Sequence, residues 1–177
     1  NAKELLSLKA TLAPLPKIKE LLKDSKSLLL KDIYNDIDVL EDVYTLVSQA
    51  ISEDEAEAEA KFVLDLLGDR KLDLPVFFDW ERISGDTART DNETLTACAV
   101  KFCQTIESAG FDAGVYIYND TGYYGYDLAQ LEDYTFWCVG ISTYPCFYYA
   151  HEFWQYSFKG TVPGINADCD LNMMFEK

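Results

Sequence analysis

Pro75-Val76-Phe77-Phe78-Asp79-Trp80-Glu81 decides the reading of this chain, because an apolar run ends on two carboxylates two positions apart. Side chains alternate across a strand, so Asp79 and Glu81 share one face while Phe78 and Trp80 take the other. A strand apolar on both faces belongs to a parallel sheet covered by helices, and in such sheets catalytic groups collect at the C-terminal ends of the strands. Two acids so placed suit acid/base or glycosyl-transfer chemistry. One donates a proton, and the other stabilises or attacks positive charge at a sugar carbon. Taken alone, the heptapeptide is equally an acidic strand end entering a solvated loop.

The flanks alternate in the same style. Ser52 with Glu55 offers a capping box for an Ala/Glu-rich helix that runs through Phe62, Leu66 and Leu67 and stops at Gly68. Beyond a polar loop, residues 94–109 place Leu95, Ala99, Phe102, Cys103 and Ile106 on one helical face, with Gly110 as the stop. Strands are expected over 113–118 and 134–141, with a short helix near 126–131 between them, and two more over 153–156 and around 169–173. This order predicts a parallel sheet wrapped by helices.

Upstream, the composition breaks near residue 52. Residues 1–52 hold two aromatics, Tyr34 and Tyr44, whereas the remainder holds all three Trp, all ten Phe and the other ten Tyr. The first piece has 7 basic and 8 acidic residues, giving -1; the second has 8 and 23, giving -15. Leu5, Leu6, Leu8 and Leu12, then Leu29, Ile33, Ile37 and Leu40, then Val43, Tyr44, Val47 and Ile51 recur at helical spacing, so residues 1–52 are expected to be helical and to carry no chemistry. Two domains follow, 1–52 and 53–177.

A net charge of -16 opposes a nucleic-acid surface and an anionic membrane, and no apolar run approaches the roughly 20 residues that span a bilayer. The start at Asn1 lacks the basic and apolar pattern of a secretory signal. Five cysteines without a CxxC pair are read as packing thiols, and His151, the only histidine, has no activated nucleophile nearby. Residues 168–172 lack the glycine and distal acid of a calcium loop, so neither metal nor cofactor is expected.

Two resemblances organise these pieces. Asn1-Ala2-Lys3-Glu4-Leu5-Leu6-Ser7-Leu8-Lys9, Leu15-Pro16-Lys17-Ile18-Lys19-Glu20-Leu21-Leu22 and the stretch 37–52 with Leu40-Glu41-Asp42-Val43-Tyr44 resemble the helical core, or lever, segment of MutS mismatch-repair proteins. No GxxxxGK[ST] occurs, so that likeness implies no ATP or DNA site. Leu74 to Glu81, Ala109-Gly110-Phe111-Asp112-Ala113-Gly114-Val115-Tyr116-Ile117-Tyr118, Phe153-Trp154-Gln155-Tyr156-Ser157, Gly160-Thr161-Val162-Pro163-Gly164-Ile165 and Asp170-Leu171-Asn172 resemble glycoside hydrolase family 25, the muramidases that cut bacterial peptidoglycan.

That resemblance implies Glu81 as general acid, Asp79 as the carboxylate that stabilises the transition state or orients the acetamido group, and Asp170 as a further acid lining the groove. Sugar rings stack on aromatic faces, which makes Tyr116, Tyr118, Trp137 and Trp154 candidate substrate contacts; each is equally a core residue. The family's barrel opens with strands for which no counterpart is evident here, so the expected fold is α/β, an incomplete (β/α) barrel preceded by a helical segment, with a partner chain as one way to complete it. The expected function is cleavage of the β-1,4 glycan of peptidoglycan, or else a non-enzymatic chimeric module. The two resemblances imply different compartments, cell wall or secretion for one and cytoplasm for the other.

Overall fold

The computed structural model describes residues 3–7, 44–80, 90–162 and 168–175. Its elements are β1 (Lys3–Ser7), β2 (Tyr44–Ser48), α1 (Glu53–Leu67), β3 (Val76–Trp80), α2 (Asn92–Ser108), β4 (Ala113–Tyr118), α3 (Asn119–Gly125), a 3-10 turn (Leu128–Gln130), β5 (Thr135–Val139), β6 (Phe153–Gly160) and β7 (Cys169–Met174). They build one seven-stranded sheet in the order β1-β7-β6-β5-β4-β3-β2. The sheet takes strands from both sides of residue 52.

The helices start where local chemistry starts them. Ser52 accepts the Glu55 N–H through its hydroxyl at 3.3 Å, and the Glu55 carboxylate reaches back to the Ile51 N–H at 2.8 Å, which is the expected capping box displaced by one residue at its return bond. Gly68 ends α1 with φ +56 and gives its N–H to Leu64 O at 3.0 Å. Asp91 caps α2 by accepting the Thr94 N–H at 2.8 Å, and that bond holds its carboxyl below the usual range. Val76, Phe78, Trp80, Val115, Ile117, Phe136, Cys138 and Trp154 then form the helix-covered core with Leu95, Ala99, Phe102, Cys103 and Ile106 of α2.

Three expectations are corrected. Lys3–Ser7 and Tyr44–Ser48, read as helix, are strands: β1 runs antiparallel to β7, and β2 lies parallel to β3 with Val47 opposite Asp79. Sheet pairing overrides a helical spacing that a short apolar run satisfies by coincidence. Of the rest of the expected helical segment, 49–52 is a non-helical link into α1, and 1–2 and 8–43 lie outside the described residues. The sheet is mixed, since β2 through β6 are parallel but β7 runs antiparallel to β6. The chain also enters α3 directly after β4, earlier than the helix expected near 126–131, where only the 3-10 turn forms.

Candidate active site

The other face of the sheet holds the candidate site, and alternation assigns its residues. Phe77 and Asp79 from β3, Gly114, Tyr116 and Tyr118 from β4, Trp137 and Val139 from β5, Phe153 and Gln155 from β6, and Asn172 from β7 share that face. Register aligns Asp79 with Tyr116, Tyr116 with Trp137 and Trp137 with Phe153. Phe77, Trp137 and Phe153 pack edge-on or tilted, with ring centroids 5.1 to 5.9 Å apart, as an apolar floor. Gly114 makes room for that floor: a Cβ there would lie 2.5 Å from both Phe77 Cε1 and the Thr135 carbonyl.

Polar groups stand on the floor. Asp79 is 1% exposed, as are Gln155 and Asn172. The Tyr116 hydroxyl donates to Gln155 Oε1, and Trp137 Nε1 donates to Asn172 Oδ1 at 3.0 Å. An indole N–H can only donate, so Asn172 must present its oxygen to Trp137 and point its amide nitrogen away. Among the described residues, neither the Asn172 nor the Gln155 amide nitrogen has a hydrogen-bond partner. Burial first, then Tyr118, Asp79 and Asp170, push the Tyr116 hydroxyl far above its ordinary pKa, so it stays a proton donor. The fields of both carboxylates therefore meet at Tyr116.

Of the residues expected from sequence, Asp79, Tyr116, Tyr118, Trp137 and Asp170 fall on this face. Tyr118 packs edge-on against Tyr116 at 5.8 Å, and Asp170 is half-buried on β7, two positions before Asn172. Trp154 does not join them. It belongs to the helix-covered core, 6% exposed, with its indole N–H on the Gly140 carbonyl at 2.8 Å, because alternation along β6 gives the inner position to Gln155. Glu81 lies outside the described residues. Sequence reasoning missed Gln155, although its position between Phe153 and Trp154 on one side and Tyr156 on the other carried the signal.

Other reactive groups stand apart. Cys98, Cys103 and Cys138 are buried and pushed up by that burial, Cys98 to about 11 and Cys138 to about 12, which leaves no thiolate at neutral pH. His151 contacts the Tyr149 carbonyl through Nδ1 at 2.9 Å and packs on Phe147 and Phe175. A cavity of about 510 Å³ edged by Asp73, Glu107, Asp112, Asp133 and Glu152 opens at the N-terminal ends of the parallel strands, the end opposite Asp79. Among the described residues, no helix is long and apolar enough to cross a membrane.

Comparison with known proteins agrees with this geometry. The chain resembles the modular autolysin LytC from Streptococcus pneumoniae, solved in complex with a synthetic peptidoglycan ligand, at 20% identity and a TM-score of 0.67, over 82% of this chain and 37% of that one. The spore cortex lytic enzyme SleM of Clostridium perfringens aligns at 20% identity and 0.61, over 75% and 48%. The catalytic domain of endolysin ply40 from bacteriophage P40 of Listeria monocytogenes aligns at 18% and 0.54, over 75% and 66%. At these identities the likeness is one of fold.

Over 54 residues the chain is 57% identical to the DNA mismatch repair protein MutS of Caldicellulosiruptor saccharolyticus and 56% identical to that of Clostridium botulinum, covering 30% of this chain and 6% of each relative. The chain thus spans a small part of the MutS proteins and little more than a third of LytC. The family model for glycosyl hydrolases family 25 matches residues 34–165, most of the chain and all of the strands from β2 to β6. With Asp79 buried at the end of β3 and the inner aromatic face around it, that match makes the chain a member of the glycosyl hydrolases family 25.

Proposed function

We propose that the chain is a muramidase-type glycoside hydrolase that cleaves the β-1,4 glycan of bacterial peptidoglycan. The observation that carries this reading is the buried Asp79 carboxylate at the C-terminal end of β3, in register with Tyr116 and above an aromatic floor. In this reading Glu81, the next residue on the same alternation, protonates the leaving glycosidic oxygen. Asp79 stabilises the positive charge that develops at the sugar carbon as that bond breaks. Low local dielectric around Asp79 strengthens that interaction over its value in water. Tyr118, half-buried at the rim of this face, offers its ring to the sugar over the buried rings of Tyr116 and Trp137, and Asp170 adds a third acid across the sheet.

The incomplete barrel is part of the proposal. It is supported by a strand order that begins at β1 and ends at β2, with no pairing between those two among the described residues. A partner chain would be one way to complete it. The segment similar to MutS supports a second reading, a non-enzymatic chimeric module in which the barrel is retained without turnover. A turbidity assay on purified bacterial cell walls separates the two. The enzyme reading expects lysis that falls by about 10²–10⁴-fold in Glu81→Gln, the usual weight of a general acid. Lysis no faster than that of Glu81→Gln would leave the module.

A further inference from the structure

Five of the eight exposed large hydrophobic side chains among the described residues gather in two adjoining segments: Tyr123 and Tyr124 in α3, and Ile141, Tyr144 and Tyr148 in the connection from β5 to β6. Tyr148 is 88% exposed, Tyr124 80% and Tyr144 66%. Both segments leave the C-terminal ends of their strands, α3 directly after Tyr118 and the connection directly after Val139, on the side of the sheet where β3 ends at Asp79 and Trp80. The strip therefore begins at the mouth of the candidate site.

The two segments are fastened to each other. The Tyr148 N–H donates to the Tyr123 hydroxyl at 2.6 Å, and Asn119 Nδ2 donates to the Cys146 carbonyl at 3.3 Å. Beneath them Phe147, 7% exposed, packs on Tyr123 at 5.4 Å and on Phe136 of the core at 5.5 Å. Asn92 Nδ2 of α2 holds the Tyr124 carbonyl at 2.6 Å. The backbone that carries the exposed rings is thus tied to the core, which lowers the ordering cost of binding anything on them.

Chemistry restricts the occupant. From Tyr134 through Ala150 there is no Asp, Glu, Lys or Arg, in a chain with 15 basic and 31 acidic residues. An anionic partner finds no counter-charge on either segment, since residues 102–158 hold no Lys or Arg and the charges nearest in sequence to the exposed rings of α3 are the acidic Asp120 and Asp127. Four of the five exposed side chains are tyrosines, which offer a flat apolar face with a hydroxyl at its rim, and a helix-binding groove would instead need a concave aliphatic surface. Neutral pyranose rings present the complement, an axial C–H face bordered by hydroxyls.

We propose that this tyrosine strip is a glycan-binding surface, engaging a stretch of saccharide chain outside the groove where cleavage would occur. Its polymer is the one named above, so the proposal rests on that reading for the identity of the glycan and not for the binding itself. The test is depletion of the full chain from solution by insoluble bacterial peptidoglycan, comparing wild type with Tyr144→Ala/Tyr148→Ala and with Tyr144→Phe/Tyr148→Phe. The alanine variant is expected to bind about tenfold more weakly, the loss of two ring contacts, and the phenylalanine variant to recover most of that. Hydrolysis of a short soluble glycan fragment is expected to be the same in all three.

Equal depletion by wild type and the alanine variant, or no depletion of wild type, overturns the proposal. Self-association of the protein that the alanine variant abolishes, with glycan binding unchanged, assigns the strip to a second copy and also overturns it. Binding that depends on the tyrosines in a protein that lyses no cell walls would sink the enzyme reading and leave the strip standing.

Discussion

Asn172 and Gln155 place two amide groups where hydrocarbon would pack at no polar cost. Each is 1% exposed, uses its oxygen on Trp137 or Tyr116, and has no acceptor for its nitrogen among the described residues. A buried donor without an acceptor costs on the order of 1–3 kcal/mol. The pair therefore costs stability, beside the carboxylate the proposed chemistry needs. Tyr116→Phe removes the hydroxyl that satisfies Gln155 Oε1 and is expected to destabilise by about 1–2 kcal/mol in urea unfolding. Gln155→Leu removes the Gln155 acceptor from the same hydroxyl and leaves it Tyr118 alone. Tyr116→Phe/Gln155→Leu leaves neither group stranded, so its cost should fall short of the sum of the two single changes by at least about 0.5 kcal/mol. Strict additivity would show that the two side chains are not coupled in solution.

Between elements, the contact of β2 with α1 runs through one carboxylate. Ser48 at the end of β2 donates its hydroxyl to Glu59 of α1 at 2.5 Å, and the Gln49 N–H donates to the same group at 3.3 Å. Burial raises the Glu59 pKa above 4.5, and the Ser48 and Gln49 bonds lower it only in part. A carboxyl whose folded value is raised gives stability that is fully present below its unfolded value and is lost as pH rises through the folded value. Near pH 7 the charged form is thus held against its preference. Glu59→Gln, which keeps an acceptor for Ser48, is expected to be more stable than wild type at pH 7 and to lose that advantage below about pH 4.5. Thermal melts across pH 4 to 7 measure the difference, and an advantage that did not change with pH would refute the linkage.

Legibility differed sharply at this scale. Helices α1 and α2 and strands β3 and β4 were readable because their caps, stops and apolar periods agree with the packing they meet. Direction was not readable in β7, since a two-residue period is the same for parallel and antiparallel strands. Helix α3 was hidden by Gly122 and Gly125, poor helix formers. Gly122 has a packing reason, because a Cβ there would come within 3.1 Å of Phe147. Within the site the inner face followed from alternation once the strands were known. Trp154 was assigned by its chemistry alone, against the alternation that turns it outward.

For the whole molecule, charge is the term that no single contact reveals. The chain carries -16, and -15 of it lies after residue 52, in the part that forms most of the sheet and its helices. Local compensation is thin: among the described residues, Glu57 pairs with Lys61 at 2.5 Å and Lys101 at 3.0 Å, joining α1 to α2 at the surface. Such exposed pairs add little, whereas folding brings the remaining carboxylates closer together than they are in the unfolded chain. Salt acts on these two terms with opposite sign. Raising ionic strength from about 0.01 M to 0.1 M shortens the screening length from about 30 Å to about 10 Å, which weakens long-range repulsion more than contacts at hydrogen-bond distance. Added sodium chloride is therefore expected to stabilise the fold near pH 7, with about 2–4 °C in Tm for each kcal/mol of repulsion relieved. The gain should shrink as pH falls toward the pI near 4.3, where the net charge vanishes. A Tm that fell with salt at pH 7 would mean that attractive pairs outweigh the repulsion, and the acidic surface would then have to be read as a network and not as a field.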